Sequence, residues 1–182
     1  MLDEFLKNEL SFNREAGTYL FYGDDLEKNY RIALEFSAAL FSRNIENEDE
    51  KSKIKDKTLR NLYSDLMVVD NLNIDTVRDI IKKTYTSSHE VGAKVFILKN
   101  IQDIRKESAN AMLKIIEEPT RDNFFILISK RLNILSTIKS RSIIYRVRKS
   151  TPEELGVDKY VYNFFLGISN DIEEYKKQEI DL

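Results

Sequence analysis

Short, continuous apolar runs constrain the fold of this chain more than any other feature of its sequence. They are Thr18–Tyr22, Leu66–Val69, Val95–Leu98, Phe124–Ile128 and Ile143–Val147. Each run is short and rich in β-branched or aromatic residues, which favours a strand over a segment of buried helix. Most of them are continuous rather than alternating, and this pattern is typical of a parallel sheet that is covered on both faces.

Amphipathic patterns lie between these runs. After each of the first three runs, apolar residues recur at the three- and four-residue spacing of a helix. They are Leu26, Tyr30, Ala33, Leu34 and Phe41, then Ile74, Val77, Ile80 and Ile81, then Ala109, Met112, Leu113 and Ile116. Asn73 or Asp75 is the expected N-cap of the second helix, and Pro119 ends the third. The alternation predicts an α/β fold with a mostly parallel, five-stranded sheet flanked by helices.

Two segments fall outside this alternation. Residues 43–57 are dense in charge and contain only two aliphatic side chains, which predicts a solvated insertion or a mobile loop. From Ser150 onward the chain is mostly helical in pattern, and Thr151-Pro152 has the residues of a helix start. We therefore divide the chain into an α/β domain, 1–149, and the start of a small helical domain, 150–182. Apolar side chains of this tail need a partner surface: Tyr160, Val161, Phe164, Phe165 and Leu166.

Composition excludes several classes of function. The 182 residues include 29 Lys and Arg against 31 Asp and Glu, so the chain as a whole is not a basic coat for nucleic acid. There is no cysteine and a single histidine, His89, so thiolate nucleophiles and Cys-based metal sites are absent, and a His-rich metal site lacks ligands. No apolar run approaches the length of a membrane span, and the first residues lack the apolar core of a secretory signal. We expect a cytoplasmic protein without a membrane segment or a metal site.

The turn after the first run is where such a fold would cradle phosphates. Aligned with G-x-x-x-x-G-K-[ST], Gly23 matches the first glycine, but Lys28, Asn29 and Tyr30 replace the second glycine, the lysine and the hydroxyl residue. Acidic residues add negative charge to this turn: Asp24, Asp25 and Glu27. The turn is either an ordinary strand–turn–helix connection or a phosphate loop that has lost its function.

The end of the third run leads to the same interpretation. Motor ATPases of this architecture end that strand in Asp-Glu, where the aspartate helps to hold Mg²⁺ and the glutamate activates water. This chain has Lys99-Asn100 there, and a lysine repels Mg²⁺ while an asparagine cannot accept the proton. We therefore expect neither ATP hydrolysis nor a bound nucleotide cofactor.

Two further segments carry a resemblance to a known family. The stretch Ser108–Pro119, SANAMLKIIEEP, resembles the Asn-Ala-Leu-Leu-Lys-x-Leu-Glu-Glu-Pro signature of bacterial sliding-clamp loader subunits of the AAA+ superfamily. Residues Ile134–Ser142, ILSTIKSRS, are similar to the Leu-x-Thr-Ile-x-Ser-Arg-Cys motif of the same family, with Ser142 in the cysteine position. The resemblance covers about residues 1–150, and the tail is similar to the start of the family's helical lid domain.

The resemblance implies specific roles. Within the DNA polymerase III clamp loader, a chain with altered nucleotide-site residues that keeps the Ser-Arg pair is most like the delta prime subunit. Arg141, with Ser140, would then be an arginine finger that acts on the ATP site of a neighbouring motor subunit (gamma/tau), and the delta subunit would be a further partner. Ser129 stands where the family carries a nucleotide-sensing residue, and without nucleotide we expect a satisfied loop hydroxyl. Residues 43–57 replace the family's four-cysteine zinc module, so no zinc is implied.

Other interpretations remain open. A remodelled loop around Gly23 and Lys28 could make the chain a weak ATP-binding protein. Basic residues cluster after the fourth run and could contact DNA phosphates, in a loader or in a free-standing α/β domain, or could form a solvated rim: Lys130, Arg131, Lys139, Arg146 and Arg148. We also expect Lys114 and Glu118 to pair across one helical turn.

Overall fold

The computed structural model describes residues 2–90 and 92–180, with side chains up to residue 177. Helices and strands follow one another in the order α1 (Glu4–Ser11), β1 (Gly17–Tyr22), α2 (Leu26–Ser42), α3 (Glu48–Leu59), β2 (Leu66–Val69), α4 (Ile74–Thr84), β3 (Lys94–Leu98), α5 (Lys106–Glu117), β4 (Asn123–Ser129), α6 (Ser136–Lys139), β5 (Ile143–Arg146), α7 (Pro152–Leu155), α8 (Lys159–Phe164) and α9 (Ser169–Ile180).

The strands form one parallel sheet in the order β2-β3-β4-β1-β5. Each of the five apolar runs is a strand, so the predicted five-stranded parallel sheet is confirmed. Because the strands are parallel, the segments that follow β1, β3 and β4 meet at the carboxyl edge of the sheet. The segment that precedes β5 lies at the opposite, amino edge.

Both faces of the sheet are covered, as the continuous apolar runs require. On one face, Phe21 and Phe124 pack with Phe36 of α2, and all three side chains are buried. On the other face, Phe96 and Phe125 stack with ring centroids 5.1 Å apart and pack in the same cluster as Met112 of α5. Two apolar layers thus hold the helices in place and fix the positions of the loops at the edges of the sheet.

Residues 43–57 differ from the expectation. The segment contains most of helix α3, which begins after the N-cap Asn47, so the interpretation as a mobile loop is wrong over this helix. Only Ile54 and Thr58 of α3 are buried, and its other side chains are exposed or partly exposed, so the helix is solvated on most of its surface. The acidic residues in the first turn and Lys57 in the last turn interact favourably with the helix dipole and stabilise α3. A single buried aliphatic residue does not produce a recognisable apolar period.

The tail is helical, as predicted. Thr151 and Glu154 form a capping box at the start of α7, and Gly156 ends this helix in the left-handed conformation with φ 62°. The apolar cluster on and after α8 remains largely in contact with solvent, since Tyr160 is 80% exposed and Phe164 is 71% exposed. Helix α9 contacts α2. The boundary at residues 149 and 150 stays a prediction.

None of the helices in the described part of the chain is long and apolar enough to cross a membrane.

Candidate functional site

The carboxyl edge of the sheet brings together the residues that the sequence places at a nucleotide site. Gly23 follows β1, Lys99 and Asn100 follow β3, and Ser129 ends β4. The pairings β1–β4 and β3–β4 make these three segments neighbours. Helix α2 begins three residues after Gly23, so its first turn faces the same edge.

The carboxylate of Asp25 occupies the start of α2. It accepts a hydrogen bond from the backbone N–H of Lys28 at 2.9 Å, and it also accepts from the backbone N–H of Ser169 at 2.8 Å and from the Ser169 hydroxyl. Burial opposes ionisation, but the hydrogen bonds from Ser169 and Lys28 outweigh it and lower the pKa of Asp25. A helix N-terminus is a ready-made site for an anion, and here a side chain of the same protein supplies that anion.

The two residues in the positions of the second glycine and the lysine are also engaged inside the chain. Lys28 donates from Nζ to the hydroxyl of Ser150 at 2.8 Å. Its pKa is lowered by burial and, to a smaller extent, by the positive charge of Arg148. Asn29 is fully buried, and its Nδ2 donates to the carbonyls of Gly23 at 2.9 Å and Ser129 at 3.2 Å. The Asn29 amide therefore ties the end of β1 to the end of β4.

Gly23 has a packing reason to be glycine. A Cβ at this position would lie 2.6 Å from the carbonyl oxygen of Val147 and 3.0 Å from Oδ1 of Asn29. The backbone N–H of Val147 donates to Tyr22 at 2.8 Å, so the chain after β5 runs close beside the end of β1. This close approach accounts for the glycine without a phosphate.

Lys99 lies at the end of β3 within an intramolecular ion pair. Its Nζ is 2.8 Å from Oδ1 of Asp70, which follows β2, and 4.6 Å from the centre of the Tyr30 ring. Burial lowers the pKa of Lys99, but the hydrogen bond to Asp70 and the nearby negative charges outweigh it and raise the pKa overall. The next residue, Asn100, has the left-handed backbone conformation with φ 55°. The end of β3 thus carries a stable positive charge.

Ser129 is fully buried and satisfied. Its Oγ lies 2.6 Å from the carbonyl oxygen of Arg131 and 3.1 Å from Oε1 of Gln102. The expectation of a satisfied loop hydroxyl is confirmed. Among the described residues, no group of three or more His, Asp or Glu side chains is placed to hold a metal ion.

Arg141 lies at the other edge of the sheet, between α6 and β5. Its Nε is 2.7 Å from Oε2 of Glu117 at the end of α5, an ion-pair contact that lacks the alignment of a hydrogen bond, and its Nη1 donates to the carbonyl of Thr137 at 3.0 Å. Ser140 places Oγ 3.3 Å from the same carbonyl, and Ser142 donates to the carbonyl of Ile138 at 2.9 Å. The loop that carries Arg141 is thus held by short-range bonds to α6.

The contact with Glu117 was not predicted. The sequence suggested Lys114–Glu118 instead, and no ion pair joins those two side chains in the part of the chain that the structure describes. Glu118 is the C-cap of α5 with φ −128° and ψ 73°, so it has left the helix and lost the geometry of a four-residue pair. In the sequence, Glu117 was marked by its place in the SANAMLKIIEEP stretch, near the end of α5, and this position did not indicate a contact with Arg141.

Four of the five basic residues considered for DNA line one cleft. The cleft has a volume of about 700 Å³ and lies beside Gly23, between the ends of β1, β4 and β5, with Lys130, Arg131, Arg146 and Arg148 on its walls. Arg148 is paired with Glu154, and Lys149, also on the wall, lies 3.3 Å from Asp24. Among the side chains described, those of residues 2–90 and 92–177, no acidic group forms an ion pair with Lys130, Arg131 or Arg146. Lys139 lies on α6, outside the cleft.

Comparison with known proteins adds to this geometry. Residues 2–151 match a family model described as DNA polymerase III, delta subunit. The chain is 39% identical over 83 residues to DNA polymerase III subunit delta' of Buchnera aphidicola subsp. Acyrthosiphon pisum, covering 45% of this chain and 25% of that protein. It is 35% identical over 79 residues to the subunit delta' of Buchnera aphidicola subsp. Schizaphis graminum, covering 43% and 24%. The matched segment therefore spans about a quarter of the length of these relatives.

Solved structures share the fold. A DNA polymerase III gamma subunit-related protein from Thermotoga maritima superposes with a TM-score of 0.61 and 23% identity, covering 87% of this chain and 49% of that one. A RuvB variant from Thermotoga maritima superposes with a TM-score of 0.54 and 15% identity, covering 91% and 52%. The fold is the AAA+ α/β fold, as predicted.

Proposed function

The chain belongs to the family described as DNA polymerase III, delta subunit, and from this premise we propose that it serves in a bacterial sliding-clamp loader as a subunit of the delta prime type that does not hydrolyse ATP. The single observation that carries the proposal is the carboxylate of Asp25 at the start of α2. In a working site of this fold, a phosphate group would take that place. A subunit of this kind acts in the cytoplasm, on replicating DNA.

Charge supports the absence of hydrolysis. Asp24, Asp25 and Glu27 lie in or beside the turn that would hold the phosphates, and each uncompensated like charge about 4 Å away would cost about 1–4 kcal/mol at effective dielectric constants between about 80 and 20. At the end of β3, the ammonium of Lys99 repels the Mg²⁺ that phosphoryl transfer requires. Asn100 has no basic atom that could activate water. Two separate parts of the reaction are therefore unsupported.

The position of Arg141 supports a role toward a neighbouring subunit. Arg141 precedes β5, whereas Gly23 follows β1, and the two strands are parallel neighbours. The rise from Ile143 to Val147 alone is about 13 Å, so the guanidinium and the chain's own nucleotide position lie at opposite edges of the sheet. A guanidinium is permanently charged and forked, which suits the oxygens of a γ-phosphate. Arg141, with Ser140 beside it, is therefore the finger offered to a motor subunit (gamma/tau), with the delta subunit as a second partner.

An ATPase assay on the reconstituted loader tests this function. Replacing Arg141→Ala removes the finger, and we expect the rate of ATP hydrolysis at the contacted site to fall about 10³-fold or more. Arg121→Ala is the matched control, because the Arg121 side chain is 74% exposed and, within the described residues, pairs at the surface with Glu15 alone. Unchanged turnover and unchanged clamp loading with Arg141→Ala would contradict the proposal. If the chain does not bind the motor and delta subunits during assembly of the loader, the proposal is contradicted before hydrolysis is measured.

The basic cleft supports contact with DNA as a second function. Lys130, Arg131 and Arg146 line it without acidic partners in the described residues, so they are available to phosphates. Each phosphate neutralised on duplex DNA contributes about −0.9 to the slope of log affinity against log salt.

A binding titration between 50 and 200 mM salt tests this contact. We expect Lys130→Ala with Arg146→Ala to weaken duplex binding by the loader and to reduce the slope by about 2. Lys139→Ala is the control, because Lys139 lies outside the cleft. Equal salt slopes for the parent loader, the double variant and the Lys139→Ala control would identify the basic residues as a solvated rim. Binding by the isolated chain alone, as tight as that of the loader, would favour a free-standing DNA-binding domain.

A further inference from the structure

The guanidinium of Arg141 is held on one side only. Glu117 contacts Nε at 2.7 Å, and the carbonyl of Thr137 accepts a hydrogen bond from Nη1 at 3.0 Å. Within the described residues, Nη2 has neither a hydrogen-bond partner nor an ion-pair partner. The Arg141 side chain is 28% exposed, so it lies against the surface but is not enclosed. One edge of the guanidinium is thus fixed, and one terminal nitrogen remains open.

We propose that Glu117 is a positioning residue for Arg141, which it holds in the orientation that a phosphate on the neighbouring subunit requires. This inference rests on the proposed function, because it assigns a support to the same arginine finger. Glu117 never contacts the phosphate and acts only through Arg141. Its carboxylate belongs to α5, whose Ala109, Met112 and Ile116 are buried under the sheet, so the support stands on a rigid element.

Preorganisation is the physical reason for such a support. A free arginine side chain samples many rotamers, and a transition state is stabilised most by a charge that already has the correct orientation. Glu117 restricts the side chain before the subunits meet, so less conformational freedom is lost when the phosphate is bound. Nε is the nitrogen nearest to the aliphatic stem, so a contact there fixes the direction of the stem while Nη2 stays accessible.

The same contact could instead be a latch that holds the arginine back. A latch would block the nitrogen that the phosphate must reach. Glu117 contacts Nε and leaves Nη2 open, and the geometry therefore favours a support. The two roles predict changes of opposite sign, so one experiment separates them.

The test uses steady-state ATP hydrolysis by the reconstituted loader with Glu117→Gln, which keeps the size of the side chain and removes its charge. We expect kcat to fall about tenfold with little change in KM, because the finger is misplaced while the ATP site itself is untouched. Glu118→Gln is the matched control, since Glu118 is the adjacent glutamate and forms no ion pair or hydrogen bond with Arg141 among the described residues. The thermal midpoint of the isolated chain should stay within about 2 °C, because a partly exposed ion pair without hydrogen-bond alignment adds little to stability.

A double variant completes the test. With Arg141→Ala already present, Glu117→Gln should cause no further loss, because a positioning residue acts only through the group that it positions. An unchanged kcat for Glu117→Gln beside an impaired Arg141→Ala overturns this inference and leaves the proposed function intact. A higher kcat overturns it in favour of the latch. Full activity of Arg141→Ala overturns the proposed function, and this inference with it.

Discussion

Asp25 at the start of α2 and Ser169 at the start of α9 are joined by two hydrogen bonds, which the Asp25 carboxylate accepts from the backbone N–H and the hydroxyl of Ser169. The two residues are separated by 144 positions in the sequence. The same carboxylate caps α2 through the N–H of Lys28. One buried carboxylate therefore links the start of α2 to the start of α9 in the tail.

Asp25→Ala should lower the free energy of unfolding by about 1–3 kcal/mol, because it removes the cap of α2 and leaves the N–H of Ser169 without its acceptor. Chemical denaturation measures the change. Asp24→Ala is the control, because the Asp24 side chain is 53% exposed and pairs with Lys149 at the surface. Ser169→Ala should lower the free energy of unfolding less than Asp25→Ala does, since Asp25 still caps α2. Additive effects of the two variants would contradict a direct contact.

Stability toward acid should depend on Asp25. Its hydrogen bonds lower its pKa in the folded protein, so folding favours the ionised form. The contribution is present above the pKa of the unfolded chain, about 4, and is lost as pH falls through the lower folded value. Denaturation of Asp25→Asn at stepped pH should therefore show a smaller decline below pH about 4 than the parent protein. A decline of equal size would show that Asp25 does not carry this part of the acid sensitivity.

Mg-ATP should not stabilise the isolated chain. A site with a dissociation constant of about 10 µM would add about 2.7 kcal/mol at about 1 mM nucleotide, which is a large shift of the thermal midpoint. We expect no shift, because the proposed function has Asp25 and Lys99 in the places that phosphate and metal would need, and both are engaged within the chain. Thermal denaturation with and without Mg-ATP measures it, and the family's motor subunit serves as the positive control. A clear upward shift would favour a weak ATP-binding protein with a remodelled loop.

Gly23→Ala should destabilise the fold by about 1–3 kcal/mol, as overpacking of a close contact does. The new Cβ would lie 2.6 Å from the backbone oxygen of Val147, which cannot rotate away as a side chain can. Gly17→Ala is the comparison, since the atoms nearest to its Cβ would belong to the Tyr19 side chain, at 3.2 Å. Equal midpoints of denaturation for the parent and Gly23→Ala would show that the end of β1 can move away from Val147.

Ile54→Ala tests the packing of α3. Ile54 is 6% exposed and lies in the cluster that contains Phe41 and Tyr63, so truncation should cost about 2–4 kcal/mol. The neighbouring Lys53 is exposed, and Lys53→Ala should change stability by no more than about 0.5 kcal/mol. If residues 43–57 were a mobile loop, both substitutions would have the same small effect. Chemical denaturation of the two variants distinguishes these outcomes.

The strands were predictable because their signal is local. Each apolar run is short, continuous and bounded by polar residues, and burial on both faces of a parallel sheet requires this pattern along the strand itself. Helix α4 was predictable for the same reason, and Asn73, one of the two candidate caps, is its N-cap. Helix α3 was not predicted, because its contact with the core depends on Ile54 and Thr58 alone.

The sequence by itself determined the five parallel strands and the flanking helices, because residue identity and short-range periodicity carry this information. It also predicts that Lys28, Asn29 and Lys99 replace the usual phosphate-site and metal-site residues. Only the tertiary structure decided which partners the polar residues at the two edges of the sheet contact. The contacts of Asp25 with Ser169 and of Arg141 with Glu117 join elements that are distant in the chain. Such pairs depend on how the helices pack across the sheet and where each one ends, and no local pattern of polarity encodes either.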